Sequence, residues 1–191
     1  MNIGIDIDDT INNLHEIIFE KGKEFNKINN IEFQANPNEW AWDKAFGWDD
    51  KLASKFLQKY IENVYLNAGI KENAAEIINK LHEEGNKIII ITSRSKRHCK
   101  DPYTISKTWL DEKSIKYDKL IVGAEDKASI CEENNINWFI DDHVDFCEGV
   151  SRTNARVLMF DSPYNQKETR YKRIYSWEEA YENIMNNNWH I

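Results

Sequence analysis

Residues 1–10 read MNIGIDIDDT, a short apolar run that turns acidic at its end. The run predicts a buried β-strand over residues 1–7, because an apolar stretch of this length suits a strand that is covered on both faces. Open parallel sheets bind ligands at the carboxyl ends of their strands. Asp6, Asp8 and Asp9 therefore stand where functional groups are expected.

Further along the chain, apolar runs alternate with amphipathic patterns. The apolar runs predict four more strands, at residues 87–91, 119–122, 138–140 and 156–160. Helices are predicted at residues 12–29, 52–66, 73–84, 103–112, 126–134, 143–149 and 177–185. The alternation indicates a Rossmann-like α/β fold, with a parallel five-stranded sheet and helices on both faces.

The connection between the first two strands is unusually long. It covers residues 8–86, whereas a simple crossover between parallel strands needs about a dozen residues. The connection contains three of the predicted helices and an aromatic-rich stretch at residues 32–48. We expect residues 13–67 to form a small helical cap, inserted into an α/β core domain of residues 1–12 and 68–191.

Composition excludes several classes of protein. Of the 191 residues, 41% are hydrophobic and 30% are charged, as in globular proteins with an ordinary core. A net charge of −8 argues against extended nucleic-acid binding, which requires a basic surface. Residues 87–92, the longest strongly apolar run, are too few to span a membrane, and no secretion signal is apparent. We expect a cytoplasmic protein whose three cysteines are reduced thiols.

A second acidic pair follows the fourth predicted strand. Asp141 and Asp142 would meet Asp6 and Asp8 at the carboxyl ends of the strands, and carboxylates so concentrated repel one another unless a cation neutralises them. Oxygen ligands suit Mg²⁺, which also accepts phosphate as a ligand. The sequence thus predicts a Mg²⁺ site, although Asp9 alone could equally be a helix cap.

These motifs, taken in order, resemble those of the haloacid dehalogenase superfamily. The D-x-D-x-T pattern of residues 6–10 resembles its first motif, and Thr92 at the end of an apolar strand resembles its second. Lys127 and the Phe-Ile-Asp-Asp of residues 139–142 resemble its third and fourth motifs. An insertion between the first two motifs matches one of the known cap positions of the superfamily.

Within the superfamily, the chain is most similar to the 5'(3')-deoxyribonucleotidase, or cytosolic type C nucleotidase, group. This resemblance depends on the length, the Thr92-Ser93 pair, Trp109, the Asp126-Lys127 step and the acidic pair at residues 141–142. It implies a Mg²⁺-dependent phosphomonoesterase, most similar to a 5'-nucleotidase that acts on nucleoside or deoxynucleoside monophosphates. The expected partner is therefore a small phosphorylated metabolite.

The resemblance also implies roles for individual residues. Asp6 is expected to attack phosphorus and form an aspartyl-phosphate. Asp8 is expected to protonate the leaving oxygen and then deprotonate the hydrolytic water. Mg²⁺ would be held by Asp6, the backbone carbonyl of Asp8 and Asp142, with Asp141 acting directly or through a water.

Phosphate is expected to meet a hydroxyl and a lysine. Thr92 is the expected hydroxyl, and Ser93 replaces it if the strand shifts by one residue. Lys127 is the expected lysine, in competition with Lys107 and Lys119.

Specificity is expected to come from the cap. Trp40, Trp42 and Trp48 lie within nine residues and either pack the insertion or stack on a nucleobase. Arg94 either contacts phosphate or caps the loop that follows it.

Other functions remain open at this point. Residues 91–94 and the later acidic pair also resemble polynucleotide 3'-phosphatase domains, which the net charge of −8 disfavours. A sugar-phosphate or other metabolite phosphatase would carry the same motifs with a different cap. Receiver-like signalling domains share the acids, the threonine and the lysine, but their phosphoacceptor aspartate ends a strand in the middle of the chain. A non-catalytic phosphate-binding relative would lack catalytic side chains that are present here.

Overall fold

The computed structural model describes residues 1–187. The elements in chain order are β1 (Asn2–Ile5), α1 (Leu14–Ile28), α2 (Trp42–Phe46), α3 (Asp50–Asn67), α4 (Ala74–Glu83), β2 (Lys87–Thr92), α5 (Pro102–Glu112), β3 (Lys119–Val122), α6 (Lys127–Glu133), β4 (Trp138–Asp141), α7 (Val144–Ser151), β5 (Arg156–Phe160), β6 (Lys172–Ile174) and α8 (Trp177–Met185). The predicted α/β alternation is confirmed. Within the described residues, no helix combines the length and the apolar character needed to cross a membrane.

The strands form a parallel sheet in the order β3-β2-β1-β4-β5-β6. The predicted count of five strands is wrong, because β6 adds a sixth beside β5. Its sequence, Lys-Arg-Ile, has no apolar run, and only Ile174 is buried. Two basic residues on an edge strand also discourage pairing with another chain.

Helices cover both faces of the sheet, as expected. Successive strand residues point to opposite faces, so Ile88 and Ile90 pack with α4, α5 and α8, whereas Ile89 and Ile91 pack with α6 and α7. Cys99, Cys131 and Cys147 are buried free thiols. Open parallel sheets of this kind bind ligands at the carboxyl edge, which we define as the row of C-terminal strand ends.

Helices α1, α2 and α3 build a separate hydrophobic cluster from residues 14–68, which Cys99 joins. At its centre, the Phe46 ring packs so closely on Gly22 that an added Cβ would lie 2.3 Å from Cζ of the ring. The chain enters and leaves this segment side by side, since the amide of Asn13 donates to the carbonyl of Gly69 at 2.8 Å. These contacts support residues 13–67 as the proposed cap segment, the name used below.

Candidate active site

The carboxyl edge brings together side chains that are far apart in sequence. Asp6 follows β1 directly, Asp141 ends β4, and Lys127 is the first residue of α6. Asp126 fixes that helix start, because its carboxylate accepts a hydrogen bond from the amide of Ser129 at 3.1 Å. The fold therefore places Lys127 against acids of two neighbouring strands.

Lys127 lies between two carboxylates and is almost fully buried. Its Nζ donates to Oδ1 of Asp6 at 2.5 Å and to Oδ2 of Asp141 at 2.7 Å. Burial works against the lysine charge, but Asp141 and Asp6 outweigh it and raise the pKa of Lys127 above its usual value. Lys107 and Lys119, by contrast, are exposed and bond to Asp111 and Asn134.

Asp6 carries a perturbed carboxyl group. Burial, opposed by the charge of Lys127 and reinforced by Asp141 and Asp8, raises the pKa of Asp6 to about 7. A carboxylate in such a place depends on nearby positive charge to remain ionised at neutral pH. Ionised Asp6 would be a partly desolvated nucleophile held by one strong donor.

A second group of acids surrounds Tyr164. Its hydroxyl contacts Oδ2 of Asp142 closely and lies 3.0 Å from Oδ2 of Asp9. A phenol has one proton to donate, so two ionised acceptors are satisfied only if a further proton or a cation joins them. Burial, with the charges of Asp141 and Asp9, raises the pKa of Asp142 well above its ordinary value. Burial likewise raises the pKa of Asp9 to about 6.

The donor set of this edge fits a divalent cation. Carboxylate oxygens of Asp6, Asp141 and Asp142 all lie within 4.8 Å of one another. The ligands are oxygens alone, which is the chemistry that Mg²⁺ prefers. Asp141 also accepts from Lys127, whereas Asp142 accepts from the Thr10 hydroxyl at 3.1 Å.

Asp9 has a local structural role as well. Its backbone adopts the left-handed conformation, with φ of 56°, and Oδ1 accepts a hydrogen bond from the amide of His15 at 2.7 Å. It therefore caps the start of α1, which is the alternative that the sequence left open. The same residue closes the acidic group around Tyr164.

Asp8 faces the cavity beside Asp6. Its carboxylate forms a salt bridge with the Arg94 guanidinium. The Arg94 side chain is fully buried and does not line the cavity. Arg94 thus binds Asp8, and neither of the two roles considered for it from sequence describes this contact. The side-chain amide of Asn12 also donates to Oδ1 of Asp8, at 3.0 Å.

The two candidate hydroxyls are placed differently. Thr92 ends β2, is fully buried, and its Oγ1 accepts from the amide of Arg94 at 3.3 Å. Ser93 is partly exposed and lines the cavity. Of the pair, the side chain of Ser93 is the one on the cavity surface.

A cavity of about 640 Å³ lies between the carboxyl edge and the cap segment. Trp40, Trp42 and Trp48, the three tryptophans that the sequence suggested for base stacking, all line this cavity, but they differ in their surroundings. Trp48 is buried, stacks on Phe46, and donates from Nε1 to Asn26 at 2.5 Å, so it is packed into the cap. Trp42 is partly buried, and Trp40 is half exposed with its ring edge-on to His143.

The sequence analysis did not identify Tyr164, which lies in a turn. The turn follows β5, so it lies at the carboxyl edge for the same reason that the acids do. Asn165 beside it donates to the carbonyl of Asp142 at 2.8 Å. The position of Tyr164 shortly after a predicted strand was the sequence feature that could have identified it. Asn12 was also missed, since it lies in a loop where polar residues are common.

Comparison with known proteins agrees with this geometry. The family model for the 5' nucleotidase, deoxy (pyrimidine), cytosolic type C protein matches residues 1–189. A nucleotidase of Clostridium acetobutylicum is 27% identical over 184 residues, which cover 95% of this chain and 92% of that protein.

Solved structures share the fold. A predicted phosphatase from Clostridium acetobutylicum superimposes with a TM-score of 0.71 at 14% identity, covering 97% of this chain and 98% of the other. A haloacid dehalogenase-like hydrolase from Streptococcus pneumoniae gives 0.68 at 12% identity, covering 96% and 97%.

Proposed function

Since the chain belongs to the 5' nucleotidase, deoxy (pyrimidine), cytosolic type C family and is a phosphoric monoester hydrolase of the haloacid dehalogenase superfamily, we propose that it is a Mg²⁺-dependent nucleotidase. Its substrates are nucleoside or deoxynucleoside monophosphates. The observation that carries the proposal is Asp6, paired with buried Lys127 at the base of a cavity with aromatic walls.

The proposed reaction has two steps. An oxygen of Asp6 bonds to phosphorus as the bond to the leaving oxygen breaks, and Asp8 gives that oxygen its proton. A water oxygen then bonds to phosphorus, its proton passes to Asp8, and the bond between phosphorus and Asp6 breaks. Lys127 neutralises charge on Asp6 and on the phosphate in both steps. We assign the phosphate-binding hydroxyl to Ser93, and its position on the cavity surface supports this assignment.

Mg²⁺ belongs to the proposal through the donor set. Asp6, the carbonyl of Asp8, and Asp142 would hold it, and Asp141 would join them directly or through a water. When bound, Mg²⁺ neutralises negative charge shared by the phosphate and the carboxylates. The raised pKa values of Asp6 and Asp142 support this, since buried acids that repel one another favour a cation.

Binding of Mg²⁺ should raise the melting temperature by several degrees at pH 7.5 and by clearly less at pH 5. Folding raises the pKa of Asp6 from 3.8 to about 7, so the stability that its proton contributes is lost as pH rises toward 7. Mg²⁺ then replaces that proton, whereas at pH 5 it must displace it. A ligand at about 100 times its dissociation constant adds ~2.7 kcal/mol. Thermal unfolding with and without Mg²⁺ measures the shift.

The variant Asp142→Asn should lose most of this Mg²⁺-dependent shift. Exposed Asp145, on the first turn of α7, supplies the matched control, and Asp145→Asn should keep it. An equal shift at both pH values, or one that survives in Asp142→Asn, contradicts the proposed cation site.

The size and lining of the cavity support a nucleotide over a smaller ester. A volume of about 640 Å³ is typical of a cavity that encloses a whole small molecule. The carboxyl edge recognises phosphate alone, so selectivity depends on the cap segment above it. Of the aromatic side chains of the cap segment that line the cavity, Trp40 and Trp42 keep exposed surface. Each stacked base is worth ~1–3 kcal/mol.

Nucleoside monophosphates should therefore exceed simple sugar phosphates in kcat/KM. Replacing Trp42 or Trp40 by alanine should remove most of the difference, about one to two orders of magnitude, by deleting the stacking surface. Hydrolysis of p-nitrophenyl phosphate, which has no base, should change little. Phosphate release across a panel of both substrate classes gives the comparison.

Tyr175→Ala provides the control for that panel, because Tyr175 is an aromatic residue with 66% exposure that does not line the cavity. If the unmodified protein prefers sugar phosphates, the nucleotide assignment fails and a general phosphatase remains.

A further inference from the structure

Arg94 binds Asp8 through a two-point fork. Its Nε donates to Oδ2 of Asp8 at 2.9 Å, and its Nη2 donates to Oδ1 at 2.6 Å. The arginine side chain has no exposed surface, and that of Asp8 is 20% exposed. Two parallel bonds from a planar guanidinium fix both the position and the plane of a carboxylate.

Arg94 is itself held by three parts of the molecule, two through its guanidinium and one through its backbone. Its Cζ lies 4.0 Å from the ring centroid of Tyr65, on α3 of the cap segment. Its Nη1 lies 3.5 Å from the hydroxyl of Ser106, on α5. The carbonyl of Arg94 accepts from the amide of Gly123 at 2.8 Å. Arg94 is thus a rigid support, and it contacts Asp8 without reaching the cavity surface.

The donors around Asp8 make its two oxygens unequal. Among the residues that the structure describes, Oδ1 accepts from both Arg94 and Asn12, whereas Oδ2 accepts from Arg94 alone. A carboxylate oxygen has two lone pairs, so both lone pairs of Oδ1 are occupied and one of Oδ2 is free. Only Oδ2 retains a place for an additional proton.

We propose that Arg94 is a positioning residue that makes Oδ2 of Asp8 the oxygen that exchanges protons during hydrolysis. The inference rests on the proposed function, in which Asp8 is the acid and then the base. The proton on Oδ2 moves to the leaving oxygen as the bond from that oxygen to phosphorus breaks. Oδ2 then takes a proton from the water whose oxygen bonds to phosphorus. Arg94 contacts neither substrate nor phosphorus.

The test uses phenyl phosphates of equal size with different leaving groups. A phenolate bearing a p-nitro group leaves without a proton, whereas unsubstituted phenolate is more basic and depends on the acid. In Arg94→Met, kcat/KM should fall about 10–100-fold for phenyl phosphate, because a misplaced acid loses much of its effect. For p-nitrophenyl phosphate it should fall less than about threefold. Arg94→Lys, which keeps the charge but loses the fork, should give an intermediate selectivity.

A double-mutant cycle separates positioning from general damage. In the Asp8→Asn background, Arg94→Met should leave the ratio between the two substrates unchanged, because no acid remains to be positioned. Arg152→Met, at an exposed arginine paired with Glu148, is the control. Equal losses on both substrates in Arg94→Met and Arg94→Lys would overturn the proposal. So would a selectivity change that persists without Asp8.

The two proposals fail in different ways. If nucleotides are poor substrates, that appears in the unmodified enzyme, and the phenyl phosphate series still tests Arg94. If Arg94 only stabilises the fold, unfolding measurements show the loss and the ratio between the two phenyl phosphates does not move.

Discussion

The Asp6→Asn protein is expected to release no measurable phosphate from any monoester while keeping its fold. An amide cannot attack phosphorus to form the acyl phosphate that the proposed mechanism requires. The asparagine carbonyl can still accept from Lys127, which lies 2.5 Å from Oδ1 in the present site, so the local packing should survive. Phosphate release under saturating Mg²⁺, with circular dichroism to verify folding, measures the effect.

Asp145→Asn is the matched control for this loss of charge, since Asp145 is exposed on α7 and does not line the cavity. It should keep the activity of the unmodified protein. If Asp6→Asn retains more than a few per cent of that rate, the covalent mechanism is wrong and water must attack phosphorus directly.

The Lys127→Met protein is expected to lose both activity and stability. Removing the ammonium leaves Asp6 and Asp141 buried without the donor that now lies 2.5 and 2.7 Å from them. Breaking a buried ion pair in this way costs about 3–5 kcal/mol. The deficit should be smaller at pH 5 than at pH 8, because Asp6, whose pKa is already raised to about 7, then takes up a proton. Denaturant unfolding at both pH values gives the two free energies.

Lys119→Met tests whether the loss is specific to the buried lysine. Lys119 is exposed, so its replacement should change the free energy of unfolding by no more than about 0.5 kcal/mol. Comparable losses in both variants, or full activity in Lys127→Met, would contradict the role assigned to Lys127.

The fold could be predicted as far as apolar periodicity extends. Residues 87–91 and 156–160 form strands because isoleucine, valine and leucine there are buried on both faces. β6 could not be found in this way, since two of its three residues are basic. Its strand conformation depends on the free edge of β5, and an edge created by tertiary structure leaves no local pattern.

Some residues of the candidate site could likewise be located from the sequence, and others could not. Position after a strand placed Asp6 and Asp142 at one edge, since parallel strands end together. It could not choose between Lys127 and its competitors, because that choice depends on which helix begins against the acids. Nor could it pair Arg94 with Asp8, which is 86 positions away. Contacts across such distances in sequence follow from the assembled fold alone.

The central position of β1 in the sheet also affects the order in which parts of the protein fold during synthesis. Asn2 pairs with Lys87 and Ile3 with Trp138, so the first strand leaves the ribosome long before either neighbour. The cap segment depends mainly on contacts within residues 14–68 and can pack while synthesis continues. Pairing of strands that are distant in sequence is slow, because the entropy cost of closing a long loop comes before the stabilising contacts form. We therefore expect Asp6 to meet Lys127 late, when the cap segment has already packed beside an incomplete carboxyl edge.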